Sequence, residues 1–115
     1  MTANNIDMKV FSELQTNAGA DFVKELVETF LEEVPVMIGA LRAALAAGDA
    51  NQFRRTAHSL KTNGLTFGAV AMSAQARELE LTGLERLGAD ATAAIDRLQE
   101  SCAQAAADLR ELCHA

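Results

Sequence analysis

The chain has 115 residues, enough for one domain, and half of them are hydrophobic, so one modest core can be buried. Aromatics make up 4 %, with no Trp, no Tyr and a single Pro, a composition that favours an aliphatic helical core over a turn-rich β fold. A net charge of −6 argues against nucleic acid, and no run approaches the ~20 apolar residues that span a bilayer.

The first ten residues, MTANNIDMKV, lack the basic-then-apolar pattern of a signal peptide. A cytoplasmic protein is therefore expected, and the start at Met1 is read as favouring a free-standing chain. A first helix is predicted over Ile6 to Thr16, ending at the cap signal Asn17-Ala18-Gly19. Asp21 is placed to cap a second, with Phe22, Leu26 or Val27, Phe30 and Val34 on one stripe. Pro35 predicts a break, because it lacks an N–H and crowds the preceding turn. The next segment, from Pro35 to Ala47, turns Ile38, Leu41 and Leu45 inward and ends at Gly48.

Asp49 caps a helix from Ala50 to about Asn63, and Gly64 and Gly68 bracket its end. Another helix over Ala69 to Arg86 aligns Met72, Ala76 and Leu79. Gly88-Ala89-Asp90 is read as a short turn with Asp90 as N-cap. The last helix, Ala91 to Leu112, aligns Ala91, Ile95, Leu98, Cys102, Ala105, Leu109 and Leu112 at near-heptad spacing. Connections this short favour antiparallel neighbours. The expected fold is all-α: an antiparallel up-down four-helix bundle with an additional short N-terminal helix or helices, one domain over residues 1–115. Monomer is the default, since no long apolar stripe is left over.

Cys102 and Cys113 stand eleven residues apart on one predicted helix, ~16 Å of rise, which is too far for a disulfide. They read as reduced small hydrophobes. The charge is unevenly spread. No acidic residue falls between Asp49 and Glu78, whereas Arg54, Arg55, Lys61 and Arg77 do, giving a local +4 against −10 for the rest. A basic island on an acidic chain suits an anionic partner or ligand; chance clustering is the plain alternative.

On a helical wheel, Phe53, Ala57, Leu60 and Gly64 share a narrow arc, the core face. His58 then lies ~130° from the middle of that arc and Lys61 ~70° from it. An outward histidine with a lysine one turn on is either a surface residue of no consequence or a nucleophilic imidazole beside a cation that meets anionic oxygens.

The run AHSLKTNGLTFGA, residues 57–69, resembles the signature of histidine-containing phosphotransfer (HPt) domains: Ala-His, an apolar residue, Lys three after the His and Gly ten after it. His58, Leu60, Lys61 and Gly68 match. Upstream, FVKELVETFLEEVPVMIGALRAALAAGDANQFRRTAHSLK is similar to the family too, as is ARELE downstream, so the likeness covers roughly residues 20–85, with the motif region at 50–85. Many members have Gly four after the His; this chain has Thr62, whose side chain would narrow the choice of partner or bond the phosphate.

The resemblance implies a phosphocarrier that takes and gives a phosphoryl group on His58, with no kinase activity of its own. Its implied partners are a response regulator receiver domain, whose aspartate and Mg²⁺ do the matching chemistry, and a sensor (hybrid) histidine kinase. No cofactor of its own is implied, and no phosphate-cradling Gly loop for ATP is present. Lys61 would pair with phosphoryl oxygens. Glu80, on the neighbouring helix where the family often has Glu or Gln, is the candidate to hold one ring nitrogen and so fix the tautomer. Arg54, Arg55 and Arg77 would steer an acidic receiver. Thr62, Leu65 and Gly68 would complete the docking surface, Leu65 and Phe67 being either core or an apolar patch.

Two rivals belong to other classes. Glu111-Leu-Cys-His114 has the Glu-x-x-His spacing of di-iron bundles, but such sites need two copies and two more carboxylates; no metal site is expected. The other rival is an interaction module that docks a receiver or kinase domain without chemistry. His58→Gln separates it from a relay.

Overall fold

The computed structural model describes residues 6–114 and is helical nearly throughout. Asp7 starts α1 (Met8–Ala18): its Oδ1 accepts from the backbone N–H of Lys9 at 3.0 Å and of Val10 at 3.4 Å, satisfying donors that the first turn leaves open. Gly19, at φ 93°, is the whole connection to α2 (Ala20–Ala47). So short a link puts Asp21 inside the first turn of α2, where its charge suits the helix dipole, and not at the cap expected for it. The buried stripe is accordingly Val23, Val27, Phe30 and Val34, with Phe22 left half exposed.

Pro35 does not break the chain. α2 runs through it for 28 residues. Phe30 and Val34 before it and Ile38 and Leu41 after it lie on one buried stripe, so packing holds the two halves in line. The proline itself is exposed, where water can serve the carbonyl left without a donor. Past it Ala44 is buried, while Leu45 is only partly so. Gly48 ends α2 in the left-handed conformation, and Asp49 caps α3 (Ala50–Phe67) by accepting from Gln52 N at 3.0 Å.

α3 runs one turn beyond Asn63, passing straight through Gly64. The extra turn buries Phe67 edge-on against Phe30, ring centroids 5.1 Å apart, which assigns Phe67 to the core. Gly68 (φ 76°) closes it. α4 (Val70–Leu87) carries an interruption the sequence reading did not foresee, at Gly83 (φ 80°, ψ 157°), after which Leu84 turns inward. A 3₁₀ turn, Gly88–Asp90, leads into α5 (Ala91–His114).

Helices α2 to α5 form the bundle. Cross-links show each packing antiparallel to its neighbour: Met37 to Asn63 joins α2 and α3, His58 to Glu80 joins α3 and α4, and Gln75 to Ser101 joins α4 and α5. Arg42, bonded to Asp96 at 2.8 Å and Gln99 at 2.6 Å, closes the ring from α2 to α5. The core is mostly aliphatic, with Phe11, Phe30, Phe53 and Phe67 set into it. Phe53, Leu41, Leu60, Ile95, Leu98 and Leu109 are fully enclosed, each contributing ~1.5–3 kcal/mol. The expected α5 stripe from Ala91 to Leu109 is buried as a row. α1 lies across the ends of α2 and α3, tied by Asp7 N to Gly68 O at 2.7 Å and an isolated bridge from Ile6 to Ala69. Among the described residues no helix is long and apolar enough to cross a membrane.

Candidate functional site

α3 owes the direction of its side chains to Phe53, Ala57, Leu60 and Gly64, all buried on one face. That phase leaves the His58 side chain 57 % exposed and Lys61 on the flank at 23 %. Across from them, Ala76 and Leu79 anchor α4 in the core and bring Glu80 up beside α3. Three side chains separated by up to 22 positions thus meet. His58 Nδ1 lies 2.8 Å from Glu80 Oε2, and Lys61 Nζ lies 2.9 Å from Glu80 Oε1.

The Lys61 ammonium, and next the His58 ring, hold the Glu80 carboxyl below the usual carboxylate range; partial burial opposes them and loses. Glu80 is therefore ionised at neutral pH. An ionised carboxylate only accepts, so the proton of this contact sits on Nδ1. In the neutral ring, Nε2 then keeps a free lone pair on the exposed side. The two Glu80 contacts differ in kind. Oε2 takes a directed hydrogen bond from the ring, whereas the enclosed Oε1 meets Lys61 as an ion pair without hydrogen-bonding angles. One carboxylate thus serves both side chains, with Lys61 at 23 % side-chain exposure on the flank of the ring.

Thr62 is exposed one turn after His58, and its hydroxyl donates to the His58 carbonyl at 3.0 Å. Arg54 and Arg55 lie on the outer face, bonded to Asn51 and Gln52, and neither meets a carboxylate among the described residues. Arg77, Lys61 and Leu65 line an apolar groove on the α4 side of the site. Leu65 is 58 % exposed and belongs to the surface. Gly68 borders that groove but is buried: a Cβ there would lie 2.8 Å from the Asp7 carbonyl oxygen, so what meets Gly68 most closely is α1.

A second groove, on the α2 side of His58, was missed by sequence reasoning. Glu32, Glu33, Val36 and Met37 line it together with His58, Ser59, Thr62 and Asn63. One signal was available. Val36 falls between Val34 and Ile38, off the buried stripe, and an apolar residue at such a phase is exposed, here 72 %.

Away from the site, Cys102 is buried and its thiol is pushed up to about 12 by that burial, and burial also raises the thiol of Cys113. Glu111 lies in the last turns of α5; the side chain of His114 is outside the described residues.

No curated protein matches the chain. Among solved structures it is similar to histidine-containing phosphotransfer protein B (HptB) from Pseudomonas aeruginosa PAO1, with a TM-score of 0.88 and 30 % identity over 98 % of this chain and 97 % of that one. The sequence pattern of the Hpt domain matches residues 25–115, which takes in α3, α4 and the His58–Lys61–Glu80 cluster. The chain therefore belongs to the Hpt domain family, the histidine phosphotransfer proteins of two-component phosphorelays.

Proposed function

We propose that the chain carries a phosphoryl group on His58, taking it from the aspartate of one receiver domain and giving it to that of another. The observation that carries this reading is the Nδ1–Glu80 contact at 2.8 Å on a ring that is otherwise exposed. It leaves Nε2 as the open nucleophile. The Nε2 lone pair attacks phosphorus in line, the N–P bond forms, and the P–O bond to aspartate breaks with its electron pair leaving on the carboxylate. Return of the group reverses each of these events. Phosphoryl transfer of this kind asks mainly for position and charge.

Lys61 supplies the charge. It waits on Glu80 and shifts toward the phosphoryl oxygens as they arrive, while Glu80 remains to balance the positive ring that forms when Nε2 is phosphorylated. Hpt domains are phosphocarriers and not kinases, so the group must come from a receiver domain that a sensor (hybrid) kinase charges, with Mg²⁺ in the receiver's own site. Arg54 and Arg55, free of acidic neighbours among the described residues, speed encounter with an acidic receiver cleft. The two grooves flanking His58, with the exposed Val36 and Leu65, give the receiver apolar surface to rest on. We read residues 1–115 as one such domain acting as a monomer. The test is transfer of labelled phosphate from a receiver to the wild type and to His58→Gln. Retained receiver binding with no label on the wild type would favour a docking module instead.

A further inference from the structure

Gly64 lies in the interior of α3, where glycine is a poorer helix former than any residue but proline. Its φ is negative, so no left-handed turn calls for it. What calls for it is space. A Cβ at Gly64 would lie 2.5 Å from Ser73 Oγ on α4, with Ser73 N at 3.4 Å and the Ala69 carbonyl oxygen at 3.5 Å next. The Ser73 hydroxyl is not free to swing aside. The residue is 5 % exposed, and Oγ donates to the Ala69 carbonyl at 2.7 Å. Turning it away would strand a buried hydroxyl, which is costly.

The contact occupies a particular place. Along α3, Gly64 comes six residues after His58 and four before Gly68; along α4, Ser73 comes seven before Glu80. The point of closest approach thus falls between the α3–α4 turn and the His58–Glu80 bridge. We infer that the Gly64–Ser73 contact is a spacer that sets how closely α3 presents His58 to Glu80, which makes both of them positioning residues for the acceptor site. The geometric part stands on distances alone, and its consequence for transfer rests on His58 being the phosphoacceptor.

Helix rise gives the leverage. Gly64 is ~6 Å from the turn and His58 ~15 Å from it, so a wedge of ~0.5 Å at Gly64, pivoting on the turn, opens ~1.2 Å at His58. The bridge, 2.8 Å long, would then exceed the ~3.2 Å reach of a hydrogen bond. Removing Ser73 Oγ removes the obstacle, because the next atoms stand at ordinary contact distance.

The experiment is a cycle of Gly64→Ala, Ser73→Ala and the double variant, read two ways: the ¹⁵N shifts of the His58 ring, which report the nitrogen that holds the proton, and the rate of phosphoryl acceptance from a phosphorylated receiver. Gly64→Ala is expected to lose the Nδ1–H signature and to slow acceptance by about tenfold or more, since a displacement near 1 Å can cost up to ~100-fold. The double variant is expected to regain both. A wild-type ring signature in Gly64→Ala overturns the inference, as does a double variant that stays displaced. Should Gly64→Ala not fold, the double variant decides: folded with Nδ1–H intact it supports the spacer, and unfolded or displaced it overturns it. If the wild type accepts no phosphate while the ring signatures follow the cycle, the spacer stands and the phosphoacceptor reading alone falls.

Discussion

Replacing Glu80 by Ala removes the acceptor that holds the proton on His58 Nδ1. A hydrogen bond to a charged group is worth ~1.5–3 kcal/mol, and at 18 % side-chain exposure the lower end applies, about tenfold in the balance between ring tautomers. Glu80→Ala is thus expected to accept phosphate several-fold more slowly, with about tenfold as the ceiling. Glu80→Gln keeps a carbonyl oxygen for Nδ1–H at the strength of a neutral bond, ~1 kcal/mol, so its loss is about two- to threefold. The ordering separates orientation from charge, because both substitutions free Lys61 equally. Single-turnover transfer from a phosphorylated receiver in excess gives the rates, and ¹⁵N spectra of the ring give the tautomer. Wild-type rate and wild-type ring shifts in Glu80→Ala would refute the reasoning.

Other consequences can be measured separately. Gly68→Ala forces an L side chain into the left-handed region and against the Asp7 carbonyl oxygen at 2.8 Å, so it should cost ~2–4 kcal/mol in urea unfolding; Gly48→Ala, left-handed too but with open space around it, should cost only ~1–2. The folded-state pKa of Glu80 is depressed, so the stability it confers is complete above its ordinary value of 4.5 and is lost as pH falls through the lower folded value. Titrated spectra should show the His58–Glu80 contact persisting below pH 4.5, and loss of the contact at or above it would count against the ion pair. Arg54→Glu with Arg55→Glu should slow receiver association and flatten its salt dependence while leaving the ring spectra unchanged, as stopped-flow association at several ionic strengths would report.

Much of this was legible in the sequence because local periodicity and tertiary packing agree. The stripes through Phe53, Ala57 and Leu60 and from Ile95 to Leu109 are regular, and they fix the phase that leaves His58 outward. Where they disagree, the sequence misled. Pro35 signals a break by local rules, yet the buried stripe on either side holds α2 together. Gly64 reads as a helix end, but there a missing side chain serves close approach to Ser73 and not termination. Gly83 looks like an ordinary helix-interior glycine, and only its φ of 80° reveals the interruption. At the site, His58 and Lys61 share a helix and were visible as a pair. Glu80 needed the family resemblance, and the α2 groove needed the bundle itself, since nothing along the chain states that Glu33 and Met37 face Thr62.

The central claim is that His58 carries the phosphoryl group. Its most direct test is incubation of the chain with a phosphorylated receiver domain, wild type beside His58→Gln, followed by acid and base treatment of the labelled product. Acid-labile, base-stable phosphate is expected on the wild type and none on the variant, with receiver binding retained by both. Label on His58→Gln equal to the wild type, or no label on the wild type from any of a broad panel of receivers that bind it, would contradict the claim.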